Sequence, residues 1–194
     1  MEKKIKTLVI VDAQFDFTNS SYGSLCVPDA ESLIIKIRNL IPDFDHVIFT
    51  VDWHPSNHCS FIENGGKWPR HCINYTIGSS IDDSLMVQAD SSCESVTVYK
   101  KGWNPSKEEY GAFSELINGI HADFYGVEPK ALFDISDEIV VCGFAAGYCV
   151  NETLLNIKIA GYGDKLFVNE DCIGYLCTKE EFDLFCKDNG INKI

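Results

Sequence analysis

Cys149 closes the segment Gly143-Phe-Ala-Ala-Gly-Tyr-Cys149, where an apolar run gives way to small residues before a helical pattern begins. A thiol at a helix start faces unsatisfied backbone N–H groups and the positive end of the helix dipole. Both stabilise a thiolate and any oxyanion formed beside it. A cysteine still needs a nearby cation or base to act as a nucleophile near neutral pH. Lys101 can supply the charge. Asp12 can accept the thiol proton and return it to a leaving amine, provided burial raises its pKa. The bland alternative is a small buried cysteine beside a structural Asp12–Lys101 ion pair.

A second constellation runs Asp52-Trp-His54-Pro-Ser-Asn-His58 and continues at Trp68-Pro-Arg-His71-Cys72. Pro55 keeps His54 and His58 off one regular helix face. Asp52, His54 and His71 could instead offer two imidazoles and one carboxylate from loops, a set that suits zinc, iron or manganese and leaves positions open. His58 is either a fourth ligand or a support behind the others, and Cys59 and Cys72 offer a thiolate alternative. Phe17, Trp68, Trp103, Tyr110 and Tyr148 are aromatic residues around the rim that these motifs share. As a set they suit a flat, uncharged ring.

The elements that must carry these groups alternate between short apolar strands and helices. Residues 7–12, 46–52, 95–101 and 138–143 read as strands, joined by a shorter one at 165–168. Helical spacing covers 30–41, ending at Pro42, and resumes at 149–157 and 178–187, with a brief turn after Phe113. Residues 53–92 and 103–110 read as irregular, as does the glycine-bearing passage up to Pro129. This pattern predicts one domain over residues 1–194: a three-layer α/β/α fold with a mostly parallel central sheet. Such folds bind ligands beyond the carboxyl ends of their strands. Asp12, Asp52, Lys101 and the turn to Cys149 all fall at such ends.

Composition narrows the partners. With a formal net charge of −13 over 194 residues and no basic cluster, neither nucleic acid nor an anionic substrate is favoured. The first apolar run stops at Asp12, too short for a signal core or a membrane span, so no membrane partner and a cytoplasmic location are expected. The nine cysteines are scattered without a C-x-x-C pair, as expected of reduced structural thiols. Homo-oligomer formation stays open.

Taken in order, Asp12-Ala-Gln14-Phe-Asp16-Phe17, Asp52-Trp-His54-Pro-x-x-His58-x-Ser60-Phe61, Trp68-Pro-x-His71-Cys72, Lys101-Gly102 and Gly143-Phe-Ala-x-x-Tyr148-Cys149-Val150 resemble the motifs of nicotinamidases among the isochorismatase-like cysteine hydrolases. The resemblance runs from about residue 7 to residue 162. It implies hydrolysis of nicotinamide to nicotinate and ammonia, in NAD salvage, with Cys149 as nucleophile, Asp12 as base then acid, and Lys101 steadying the thiolate. It also implies a cis peptide between Phe144 and Ala145, and an oxyanion hole from the N–H groups of Ala145 and Cys149. Phe17, Trp68, Tyr110, Phe144 and Tyr148 would hold the ring. One divalent transition metal, zinc before iron or manganese, would sit on Asp52, His54 and His71 and hold the pyridine nitrogen. The readings weighed against this are another small-amide amidase of the superfamily, a hydrolase attacking with metal-bound water, and a non-catalytic binding protein. Two departures stand out. Ala146-Gly147 replaces the Thr-Asp common in relatives, predicting a nucleophile turn that is looser or closed differently. The short tail after the last helix predicts a less covered sheet edge.

Overall fold

In the computed structural model, which describes residues 3–118 and 123–194, β1 (Lys6–Val11) is buried from Thr7 to Val11. It is a continuous apolar run because both its faces are covered. Leu8 and Ile10 point into one core and Val9 and Val11 into the other, the period-two alternation of a strand. After β1 come the short α1 (Phe15–Thr18) and the amphipathic α2 (Ala30–Leu40), which Pro42 ends in a single 3₁₀ turn. β2 (His46–Asp52), α3 (Asp83–Ser92), β3 (Ser95–Lys101), α4 (Glu115–Asn118), β4 (Asp123–Tyr125) and α5 (Pro129–Ile135) follow. The second half holds β5 (Glu138–Ala146), α6 (Cys149–Ile157), β6 (Leu166–Tyr175), α7 (Lys179–Asp188) and β7 (Asn192–Lys193).

The strands join in the order β4-β3-β2-β1-β5-β6-β7, parallel except for β4. Helices α2 and α3 cover one face of the sheet, whereas α5, α6 and α7 cover the other. This is the expected mostly parallel α/β sheet between two helical layers. Because β1 pairs with β2 on one side and with β5 on the other, the order reverses at β1. A crevice opens at that switch point, beyond the carboxyl ends of the strands.

Several elements differ from the sequence expectation. The irregular stretch 53–92 ends in α3, which buries only Leu85 and Ala89 and so shows little periodicity. Within the passage leading to Pro129, β4 forms, and α5 starts at Pro129 itself; residues 119–122 lie outside the described residues. β6 is longer than the expected 165–168, and its pairing with β5 continues to Tyr175 through register shifts between Val141 and Ala146. The edge expected to be less covered carries β7, pairing parallel to β6 through Phe167 and Val168. No described helix is long and apolar enough to cross a membrane.

Candidate active site

Asp12 leaves β1 with φ +48°, and its N–H donates to the Thr50 carbonyl at 3.1 Å. The Thr50 hydroxyl donates to Asp12 Oδ1 at 2.8 Å, fixing that oxygen. The other oxygen, Oδ2, lies 2.8 Å from the Lys101 ammonium, an ion-pair contact whose angle leaves Oδ2 without an aligned hydrogen bond. Asp52, the last residue of β2, is clamped through its backbone by the buried Gln14 amide. Gln14 accepts the Asp52 N–H and donates to the Asp52 carbonyl, both at 2.8 Å, and donates to the Ser79 carbonyl at 3.0 Å.

Lys101 ends β3 directly opposite Asp52 in the parallel register. Alternation sends its neighbour Lys100 outward to Asp123, while Lys101 is only 1% exposed. Its ammonium reaches Asp52 Oδ1 at 2.5 Å and the Cys149 sulfur at 3.6 Å. Cys149 is the first residue of α6, where its N–H has no acceptor within the helix. Upstream, the Phe144–Ala145 peptide is cis. Gly143 holds φ +109°, and a Cβ there would lie 2.2 Å from the Val11 carbonyl oxygen. The Ala146-Gly147 turn is closed from two sides: Asn151 Oδ1 accepts the Gly147 N–H at 2.9 Å, and the Leu176 N–H donates to the Ala146 carbonyl at 3.1 Å.

These surroundings drive the titratable groups apart. Burial pushes the Cys149 thiol well above its ordinary value, with Lys101 pulling the other way, so the thiol is the resting form. Burial also raises Asp12 against the pull of Lys101. For Asp52, burial acts upward too, but Lys101 and then His54 outweigh it and hold the carboxyl below the usual range. Burial opposes the charge on Lys101, yet Asp12 and Asp52 together keep it protonated.

On the far side of Asp52, Oδ2 lies 3.5 Å from His54 Nε2 and 3.9 Å from His71 Nε2. His54 Nδ1 is 2.8 Å from the Gly102 carbonyl and His71 Nδ1 is 2.8 Å from the Pro69 carbonyl. A carbonyl only accepts, so Nδ1 carries the proton in both rings and each Nε2 presents its lone pair. Two imidazole nitrogens and one carboxylate oxygen, all buried and mutually within 4.8 Å, therefore fit a divalent cation, with outer partners that fix the ring orientations. His58 lies outside that group among the described residues. It stacks on His54 at 4.1 Å, accepts the Ser60 N–H at Nδ1, and directs Nε2 to the Lys107 carbonyl. Neither Cys59 nor Cys72 joins a metal-type group among the described residues. A second such group, Asp12, Asp52 and Cys149, surrounds Lys101, whose ammonium already occupies the cationic position.

Between the two clusters lies a cavity of about 420 Å³ including its mouth, within the size range of small-molecule sites. Phe17, Trp68, Tyr110, Phe144 and Tyr148 all line it together with Cys149. The Trp68 indole N–H donates to the Tyr110 hydroxyl at 3.0 Å, and the Tyr148 ring sits 5.0 Å from Trp68 and 5.4 Å from Tyr110. Trp103, grouped with these aromatics on sequence, is half exposed and off the cavity, because its loop turns outward after Gly102. Asp52, His54, His71 and Ala145 line it as well, and Leu25, Val27, Ser60, Glu108 and Leu176 complete the lining; apart from Ser60, which falls in a motif, these last are loop residues of ordinary type that carry no sequence signal for such a position.

Residues 6–184 match the isochorismatase domain family. The chain is 33% identical over 186 residues to the nicotinamidase of Saccharomyces cerevisiae, covering 81% of this chain and 83% of that protein. Its fold is similar to the crystal structure of the yeast nicotinamidase bound to the inhibitor nicotinaldehyde, with a TM-score of 0.80 at 29% identity over 98% of this chain and 99% of that one. It is also similar to the pyrazinamidase of Pyrococcus horikoshii in complex with zinc, with a TM-score of 0.74 at 27% identity, covering 97% and 98% of the two chains.

Proposed function

The chain belongs to the isochorismatase family, among its nicotinamidases, and we propose that as one domain over residues 1–194 it hydrolyses nicotinamide to nicotinate and ammonia in NAD salvage. The observation that carries this reading is the buried contact of Cys149 with Lys101, and of Lys101 with Asp12, at the edge of an aromatic cavity. The pyridine ring lies among Phe17, Trp68, Tyr110, Phe144 and Tyr148, with its carboxamide carbon at Cys149. Since the thiol is protonated at rest, its proton leaves as the sulfur attacks, and Asp12 receives it on Oδ2, the oxygen with no aligned donor. The developing oxyanion is held by the N–H groups of Ala145 and Cys149, the second reinforced by the start of α6. Asp12 then protonates the amide nitrogen, ammonia departs, and a thioester on Cys149 remains. Asp12 next takes a proton from water. The resulting hydroxyl attacks the thioester carbon, the C–S bond breaks, Asp12 hands its proton to the departing sulfur to restore the thiol, and nicotinic acid leaves, losing its proton to solvent as nicotinate.

Lys101 holds both carboxylates and the sulfur in one arrangement, so its charge offsets negative charge wherever the proton stands. Asp52, His54 and His71 are the residues that would hold a divalent cation, zinc before iron or manganese, which when bound supplies a Lewis-acid position for the pyridine nitrogen. The zinc of the similar pyrazinamidase supports that order. Nine free thiols fit a reducing, cytoplasmic setting.

The test is ammonia release from nicotinamide by the purified metal-loaded protein, with mass spectrometry of acid-quenched enzyme for the acyl adduct. Replacing Cys149 by Ala is expected to cut turnover by about 10⁴-fold or more and to abolish the adduct. Turnover that survives this change would sink the thioester mechanism.

A further inference from the structure

Lys67 precedes Trp68 and is exposed, outside the cavity lining. Its ammonium nevertheless lies over three rings at once, 4.4 Å from the centroid of Tyr148, 4.9 Å from Trp68 and 5.5 Å from Tyr110. These are cation–π distances, and the three rings are the ones that meet at one wall of the cavity. The rings come from distant parts of the chain: Trp68 from the loop after β2, Tyr110 from the loop after β3, and Tyr148 from the nucleophile turn. The direct ties between them are the Trp68–Tyr110 hydrogen bond, an edge contact of Trp68 with Tyr148 and a tilted contact of Tyr110 with Tyr148. Backbone pairing places the lysine. Trp68 N–H donates to the Ser60 carbonyl at 3.1 Å, and Ile62 N–H to the Trp68 carbonyl at 2.9 Å, so the strand of loop that carries Lys67 is anchored.

We infer that Lys67 is a positioning residue: from the outer side it clamps Trp68, Tyr110 and Tyr148 into one rigid wall and thereby sets how tightly the substrate ring is held. The inference rests on the proposed nicotinamidase reading for the identity of that ring, but not for the clamp itself. The clamp touches none of the reacting atoms. Its loss therefore weakens ground-state and transition-state binding alike, which raises KM and leaves kcat in place.

The experiment compares wild type with Lys67→Met, which keeps the aliphatic stem and removes the charge, and with Lys67→Arg, which keeps the cation over the rings. Lys67→Met is expected to raise KM for nicotinamide about three- to tenfold with kcat changed by less than about twofold, and Lys67→Arg to restore KM to within about twofold. The ligand-free readout uses Trp53→Phe/Trp103→Phe protein, in which Trp68 is the remaining tryptophan. There Lys67→Met is expected to increase acrylamide quenching of Trp68 about twofold as the wall loosens. An unchanged KM or unchanged quenching in Lys67→Met overturns the inference. If wild type turns over no nicotinamide, the function reading fails and the quenching comparison alone decides the clamp.

Discussion

Asp12 and Asp52 are the same residue type at the carboxyl ends of neighbouring strands, both buried and both in contact with Lys101, yet their surroundings push them in opposite directions. Asp52 has one oxygen on Lys101 and the other facing two imidazoles, and its backbone is held by Gln14 on both sides. Asp12 has one oxygen fixed by Thr50 and one beside Lys101 and Cys149 that no donor addresses squarely. A carboxylate stabilised in its charged form suits a permanent ligand. One whose charge is penalised by burial suits an acid/base. Lys101 is shared, so the thiol half and the imidazole half form one electrostatic unit with two tasks.

Substitutions of equal size separate those tasks. Asp12→Asn is expected to lower kcat by about 10³-fold through loss of the proton acceptor, while metal content by elemental analysis stays at the wild-type level. The smaller catalytic effect belongs to Asp52→Asn and His71→Ala. Each is expected to weaken metal binding by roughly 100-fold or more, since even outer partners of metal ligands cost about 10–100-fold. Activity should return in part when metal is supplied in excess. If Asp52→Asn kept its metal and lost only kcat, or if Asp12→Asn lost its metal, the division between the halves would be broken.

The strands that carry these groups were legible because buried parallel strands are continuous apolar runs, and a charged residue that ends one stands out. Thus Asp12, Asp52 and Lys101 could be placed on one rim from sequence. The order of five short motifs brought in the family, and with it the cis peptide found at Phe144–Ala145. Elements that depend on non-local pairing were not legible: β4 and β7 are largely exposed strands of three and two residues. Likewise α3 has too few buried positions to show its period. The same limit applied around the site. Gln14 could be quoted in a motif, but its role depends on the backbone of Asp52 and Ser79, far along the chain. The direction of His58 was likewise hidden, because its Nε2 turns to the Lys107 carbonyl, which another loop contributes. Leu25, Val27 and Leu176 reach the cavity from connections whose paths the sequence pattern does not trace.

The nucleophile turn supplies the mildest test of the comparison, because it belongs to the thiol half alone. Gly147 holds φ +96°, and its N–H is satisfied by Asn151 from the first turn of α6. This contact ties Gly147 to the same helix that Cys149 begins. Removing the acceptor with Asn151→Ala leaves a partly exposed N–H that water can reach, so the expected stability cost is about 1 kcal/mol by urea unfolding. The turn also orients the sulfur toward Lys101 and Asp12, so kcat should fall about two- to fivefold, the range expected when a nucleophile is held less firmly without losing its partners. Metal content should not move, because no residue of the turn belongs to the ligand group of Asp52, His54 and His71. A drop in metal content in Asn151→Ala would mean that Lys101 transmits displacement of the sulfur across to Asp52, and the halves would then be coupled mechanically as well as by charge.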